Sequence, residues 1–332
     1  MKIDVHTHIL PKRVPRFAER FGYGGFIEVQ HKAGCNARMV YDDGRFFREV
    51  GDNCWDPKRR VEECDAQGVA TQVLSTVPVM FNYWAKGRDT LEVARFLNDH
   101  LAGVVAQHPK RFLGLATVPL QDAELATLEL QRVVKDLKLS GVQIGTHFNG
   151  RSLDDASLFP FYAEAERLGA ALFVHPWEML GKERMDRYWL PWLIGMPTET
   201  ALAIAHFIFG GVFEKFPKLR VAFAHGGGSF ASVYGRMEHG FSARPDLVAT
   251  QNPVNPKKYL GHFFVDSIVH APDLLRHCLK VFGADKILLG SDYPFPLGEL
   301  RPGEMIQSMS DLSEVEKTGM LAGNARVWLG LP

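Results

Sequence analysis

Asp4-Val5-His6-Thr7-His8 is the sharpest chemical motif in the chain. In an extended strand, residues i and i+2 project to the same side, so His6 and His8 present two imidazoles on one face. Paired imidazoles suit a divalent transition metal such as zinc. Three more polar residues close short apolar runs. They are His175 after Phe173-Val174, His225 after Phe223-Ala224, and Asp292 after Leu289-Gly290-Ser291. Any one of these histidines could serve packing or the surface. All five residues together, each at the end of a buried run, are hard to reconcile with packing. A buried, unpaired Asp292 would be costly unless a cation or hydrogen bonds satisfied it.

Such residues act together only if their elements share an end. Eight candidate strands cover residues 2–5, 71–76, 112–118, 141–144, 171–174, 220–224, 263–266 and 287–290. Helical patterns lie between them, at 90–108, 122–137, 154–168 and 271–282. Strand alternating with helix predicts an α/β chain with a parallel sheet and right-handed crossovers. Eight such units predict a (β/α)₈ TIM-like barrel, and a doubly wound open sheet is the alternative. In a barrel the five polar residues meet at the C-terminal mouth. The first unit is irregular. Residues 9–55 carry short apolar runs and the turn Tyr41-Asp42-Asp43-Gly44, which predicts a small β insertion placed to act as a lid. The whole of 1–332 then reads as one barrel that contains this insertion.

The chain has 332 residues, 46% of them apolar, so it can bury a large core without disulfide or metal staples. Its 38 basic residues balance 38 acidic ones, which argues against nucleic acid or an anionic membrane as a partner. Cys35, Cys54, Cys64 and Cys278 form no CxxC pair, and a reducing, cytoplasmic setting is expected. Met1 to His6 shows no signal-peptide pattern, and the apolar run 201–213 is too short to span a bilayer. Gly22, Gly24 and Gly25 do not form a dinucleotide fingerprint. Cys54 has no positioned base in the sequence and reads as structural.

Over its whole length the chain resembles the amidohydrolase superfamily, on the HxH pair followed by His175, His225 and Asp292. The resemblance implies that His6, His8, His175 and Asp292 hold one divalent metal, with zinc the best-suited ion, and that His225 is the acid/base. The fourth strand, Gly141-Val142-Gln143-Ile144, lacks the lysine that would bridge two metals, which favours a mononuclear centre. Five blocks narrow the resemblance to metal-dependent decarboxylases within that superfamily. They are Phe21-Gly22-Tyr23-Gly24-Gly25, Asn53-Cys54-Trp55-Asp56-Pro57, Ser75-Thr76-Val77-Pro78-Val79-Met80-Phe81, Trp189-Leu190-Pro191-Trp192, and the run from Ser291 to Glu299.

The implied reaction is non-oxidative decarboxylation of an aminocarboxymuconate semialdehyde, a small dicarboxylate of tryptophan catabolism through kynurenine. Its carboxylates call for cationic anchors, and the resemblance points to Arg48 and Arg236. Arg236 lies about two turns beyond Ser229 on a helix directed away from the mouth. The resemblance implies that the equivalent arginine enters from a neighbouring subunit, hence a homodimer. Without the resemblance, either arginine reads as an ordinary surface ion-pair residue. Trp189 and Phe295 are candidate apolar walls, with Trp177, Met179 and Trp192 beside them. His147 is either a second layer around the metal or a loop residue. Rival readings keep the same site: a decarboxylase of a hydroxybenzoate-type acid, a metal-dependent lactone or amide hydrolase, or a non-catalytic barrel.

Overall fold

The computed structural model describes residues 1–32 and 34–331. Eight strands form one sheet in chain order: β1 (Ile3–Ile9), β2 (Thr71–Thr76), β3 (Phe112–Ala116), β4 (Gly141–Gly145), β5 (Ala171–His175), β6 (Arg220–Phe223), β7 (Phe264–Asp266) and β8 (Ile287–Leu288). Every neighbouring pair is parallel. The segment after β8 returns to β1. Val5 N–H donates to Leu289 O (2.8 Å), Asp292 N–H to His6 O (2.9 Å) and His8 N–H to Tyr293 O (2.7 Å). These bonds nearly close a (β/α)₈ barrel. Its strands are buried on both faces, which is why they read as continuous apolar runs rather than alternating ones.

Helices cover the outside. They are α1 (Pro57–Gln67), α2 (Gly87–Gln107), α3 (Ala123–Lys135), α4 (Phe159–Leu168), α5 (Met196–Phe209), α6 (Phe230–Ala243) and α7 (Pro272–Phe282). Most bury one stripe. In α2 it is Val93, Leu97, Leu101 and Val104, at the spacing that keeps residues on one helical face. Local chemistry sets the starts. The Asp56 side chain accepts from Lys58 N–H with Pro57 at the first position of α1, and Asp122 accepts from Leu125 N–H at α3. The apolar helical stretch Pro191–Phe209 is long and apolar enough to cross a membrane by length and composition. It buries Ala203, Ile204, Phe207 and Ile208 against the barrel, as the core-facing helix of a globular protein does.

Inside the barrel, Val5, Val73, Leu115, Phe173, Ala222 and Leu288 pack with Trp328. The Trp328 indole N–H donates to Arg220 O, at the start of β6 (3.3 Å). Phe173 bridges upward, with its ring 6.0 Å from Trp328 and 4.9 Å from the His6 ring.

Two boundaries differ informatively from the sequence expectation. β1 runs to Ile9 rather than ending near residue 5, because Thr7, His8 and Ile9 pair with Leu74, Ser75 and Thr76. The helical pattern at 154–168 begins as a short 3₁₀ turn, Ala156–Leu158, capped by Asp155. The α-helix proper starts at Phe159.

Between β1 and α1 the chain forms a short helix, Phe17–Phe21, and an antiparallel three-stranded sheet of Ile27–His31, Asn36–Tyr41 and Phe46–Gly51. The Asp42-Asp43 turn between the last two strands is closed by Gly44 N–H donating to Tyr41 O (2.8 Å), with Gly44 at φ +86°. This sheet has its own apolar cluster, with Phe17, Phe26, Met39 and Val50. That cluster extends to Val77, Val79 and Met80 after β2 and to Phe295 after β8. These contacts fix the small sheet at the C-terminal end of the barrel.

Candidate active site

The five polar residues singled out from the sequence converge at the C-terminal mouth. His6 and His8 project from β1, with Thr7 turned away to donate its hydroxyl to Val73 O. His6 Nε2 lies 3.2 Å from His8 Nε2 and 3.4 Å from Asp292 Oδ1, and His8 Nε2 lies 3.1 Å from the same oxygen. Ligand atoms held at about 2.0–2.1 Å in a tetrahedron lie about 3.3 Å apart, so the three donors already sit at ligand spacing. One donor atom from each of His6, His175, His225 and Asp292 falls within 4.8 Å of the others. This set includes His225 and not His8, while His8 is the one tied to His6 and Asp292 by the short distances above.

The imidazoles are set for lone-pair donation. His8 Nδ1 bonds Thr76 O (3.1 Å), and His175 Nδ1 bonds Pro176 O (2.9 Å). A carbonyl only accepts, so Nδ1 carries the proton in both rings and Nε2 carries the lone pair. His6 Nδ1 lies 2.7 Å from Asp266 Oδ2, which orders that ring the same way. Among the described residues, His175 Nε2 is buried with no hydrogen-bond partner. Three oriented imidazoles with a carboxylate, and a buried nitrogen left without a partner, fit a divalent metal ion.

Burial first, then the neighbouring imidazoles, holds His175 well below the ordinary histidine range. Burial likewise lowers His8 and brings His225 down to about 4. Burial works to raise Asp292, but His8 and His6 outweigh it and hold the carboxyl well below its usual range. Neutral His8, His175 and His225 and an ionised Asp292 are the protonation states that metal ligation requires, whereas in His6 burial is outweighed by the Asp266 hydrogen bond and the Asp292 charge, which raise it.

A cavity of about 350 Å³ opens over this cluster. His8, His175, His225 and Asp292 line it beside Arg48, Trp189 and Phe295. Phe295 stacks on His8, with centroids 5.2 Å apart and planes 28° apart. The Arg48 guanidinium lies over the Phe295 ring, 4.0 Å from its centroid. Burial lowers the Arg48 pKa, and among the described residues no carboxylate forms an ion pair with it. Trp189, 41% exposed, forms the outer rim together with Trp192.

Other candidates fall elsewhere. Arg236 is exposed on α6 and does not line this cavity. His147 bonds Glu178 O (3.0 Å) outside it. Met179 is buried against Gly195. The Cys54 thiol is buried and pushed up to about 12, which leaves it unreactive at neutral pH.

Three residues were not recognised from the sequence. Asp266 ends β7 as Asp292 follows β8, and that shared pattern was a usable signal. Gln143 was read only for the lysine it replaces. Its amide accepts from Ser75 Oγ (2.7 Å) and donates to Thr76 O (2.9 Å), the carbonyl that also orients His8. Arg60, fully buried, donates to His8 O (2.5 Å) and to Gln72 Oε1 (3.1 Å) and stacks on Tyr293. Nothing local in the sequence separated it from a surface arginine.

Residues 3–331 match the amidohydrolase family. The chain belongs to this family. Among the family's curated members, 2-amino-3-carboxymuconate-6-semialdehyde decarboxylase of Dictyostelium discoideum is 56% identical over 331 residues, covering 100% of this chain and 92% of the relative. The enzyme of the same name from Caenorhabditis elegans is 38% identical, covering 98% and 93%. Among solved amidohydrolase-type structures, 5-carboxyvanillate decarboxylase from Novosphingobium aromaticivorans, complexed with manganese and 4-hydroxy-3-methoxy-5-nitrobenzoic acid, aligns with a TM-score of 0.74 at 25% identity. It covers 84% of this chain and 82% of that one.

Proposed function

We propose that this amidohydrolase-family chain is a metal-dependent carboxy-lyase that converts 2-amino-3-carboxymuconate-6-semialdehyde to 2-aminomuconate-6-semialdehyde and CO₂. The full-length 56% identity to a relative of that name carries the reading. The cavity supports it, because an unpaired guanidinium, an apolar ring and a histidine–aspartate cluster face one another there. His6, His8, His175 and Asp292 are the proposed metal ligands, and His225 the proposed acid/base. Three imidazoles and a carboxylate suit zinc best. A bound divalent ion supplies Lewis-acid polarisation of an oxygen in the site.

The chain's own residues supply the rest. Arg48 takes one substrate carboxylate through its planar fork, and Phe295 packs against the conjugated chain. Phe47, Trp177, Trp189 and Trp192 exclude water. His225, depressed to about 4 by burial and by His6, is neutral at physiological pH and can take up a proton and return it. Its Nδ1 is buried without a partner among the described residues. His225 takes one proton from solvent and passes it to the carbon that bears the departing carboxylate, making it tetrahedral and leaving the imidazole neutral again. The bond to the carboxylate then breaks, CO₂ leaves, and the electron pair returns to the conjugated system. One proton replaces one CO₂, so no redox cofactor is consumed.

Residues 9–55 are the lid of this site in our reading, because Phe47 and Arg48 reach the cavity from them. Arg236 is proposed to complete the site of a neighbouring subunit in a homodimer, anchoring the second carboxylate. The exposed position of Arg236 on α6 supports donation outward. A cytoplasmic enzyme of tryptophan breakdown through kynurenine is the corresponding setting.

The test supplies freshly made aminocarboxymuconate semialdehyde to metal-loaded protein and follows absorbance loss and CO₂ release together. Equimolar CO₂ is expected. Absorbance loss without CO₂, or no faster than in a protein-free control, would overturn the decarboxylase reading. Turnover of 2,6-dihydroxybenzoate alone would transfer the reading to aromatic acids. That second reading draws on the gamma-resorcylate decarboxylase of a Polaromonas strain, 32% identical over 71% of this chain.

A further inference from the structure

We infer that Asp266 is the positioning residue of the site, one carboxylate that sets both the ring orientation of His6 and the backbone conformation of His225. The observation begins at the backbone. His225 has φ +56°, and Gly226, Gly227 and Gly228 follow at +62°, +76° and +61°. Four consecutive residues have positive φ, Gly226 with ψ 22° and Gly228 with ψ −136°, and His225 is the only one with a side chain to oppose it. A non-glycine residue in that region costs about 1–2 kcal/mol and persists only where its surroundings impose it. The glycines are fixed by crowding. A Cβ at Gly226 would lie 2.4 Å from Val269 Cγ1, and one at Gly228 would lie 2.1 Å from Pro197 O.

Asp266 imposes the conformation on His225. Its Oδ2 accepts from His225 N–H (2.9 Å), and its Oδ1 accepts from Gly226 N–H (2.8 Å) and Ile268 N–H (3.0 Å). Successive N–H groups of a turn form a concave anion site, and here a buried side chain occupies it. The same Oδ2 accepts from His6 Nδ1–H at 2.7 Å. Asp266 is 1% exposed, and these four donors account for its carboxylate. Burial works to raise its pKa, and the His6 hydrogen bond and nearby imidazoles bring it below the ordinary value. The side chain thus ties β1 to the segment after β6 through a residue on β7.

Neutralising the carboxylate breaks this arrangement even when the shape is kept. In Asp266→Asn, one of the two oxygens becomes an NH₂. If the NH₂ replaces Oδ2, it confronts His6 Nδ1–H and His225 N–H, both donors. Relief requires the His6 proton to move to Nε2, which removes the lone pair from the cluster, or requires His225 to leave its left-handed conformation. If the NH₂ replaces Oδ1, it confronts Gly226 N–H and Ile268 N–H, and the turn that carries His225 shifts.

The inference rests on the reading that His6 helps hold the ion and His225 moves the proton. Its test is therefore read first without turnover. Asp266→Asn is expected to bind zinc or manganese about 10–100-fold more weakly than the parent by titration against a chelating dye. ¹⁵N-imidazole spectra of the metal-loaded parent are expected to show His6 as the Nδ1–H tautomer with a hydrogen-bonded proton, and the variant is expected to lose that signal. Where substrate turns over, kcat falls at least about tenfold while KM, set by Arg48, stays within a few-fold. Parent-like metal affinity and the Nδ1–H signal in a folded variant overturn the inference, even if its melting temperature is lower. If Asp266→Asn does not fold, the parent spectrum decides: an Nε2–H tautomer at His6 overturns the inference, and Nδ1–H sustains it. Failure of the decarboxylation assay with the parent would overturn the proposed function and leave both of these readouts standing.

Discussion

At the scale of single residues, the roles proposed for His225 and Arg48 are ones that kinetics can separate. His225→Ala is expected to keep about one metal ion per chain, because the His6, His8 and Asp292 donors remain at ligand spacing. Its kcat is expected to drop about 10²–10⁴-fold, the usual worth of a positioned acid/base. Metal analysis beside CO₂ release checks both, and full activity would remove His225 from the mechanism. Arg48→Ala is expected to act mainly on KM. Arg48→Lys is expected to recover little of the loss, because an ammonium offers neither the bidentate fork nor the flat face stacked on Phe295. His6 and His8 were legible because strand periodicity is local. Asp266 was not, since its four donors come from three different segments that only the fold assembles.

At the scale of elements, the barrel interior is anchored by Trp328 in the C-terminal helix Asn324–Leu329, fully buried against Phe173. Trp328→Ala is expected to cost about 3–5 kcal/mol of stability, read by denaturant titration. The segment after β8 carries a pH dependence. Burial raises the Glu299 carboxyl from its ordinary 4.5 to about 7. Between those values the folded chain binds more protons than the unfolded one, so stability falls as pH rises through the window and the penalty is complete above it. Glu299→Gln is therefore expected to melt higher than the parent at pH 8, by an amount on the order of 2 kcal/mol, and to match it near pH 4.5. A gain that is the same at both pH values would exclude Glu299 as the cause. Strand positions were readable because a parallel strand buried on both faces is a continuous apolar run. The ends were less readable: β1 extends to Ile9 only because β2 is there to pair with it.

At the scale of the whole molecule, subunit sharing is the prediction with the widest reach. Mixing inactive Arg236→Ala and Asp266-intact His225→Ala chains is expected to restore activity, because a hybrid dimer rebuilds one complete site. No recovery despite proven subunit exchange would place Arg236 outside the chemistry. Metal removal should also be felt globally. An ion bound only by the folded chain adds stability that grows with the logarithm of its free concentration over its Kd, so chelation is expected to lower the melting temperature.

The zero net charge belongs to the same scale, and it says nothing of the interior. Asp292 and Asp266 are held ionised there among four imidazoles, with Arg48 close by. By itself the sequence determined the strand–helix alternation, the shared face of His6 and His8, and the polar residue closing each of several apolar runs. All three follow from backbone periodicity and burial over a few residues. Only the tertiary structure decided that β8 returns to β1 and brings Asp292 against His8. It also decided that Arg48 lies on Phe295, and that one carboxylate on β7 orders two histidines. Those are contacts between segments far apart in the chain, made when the barrel closes, and no local pattern encodes them.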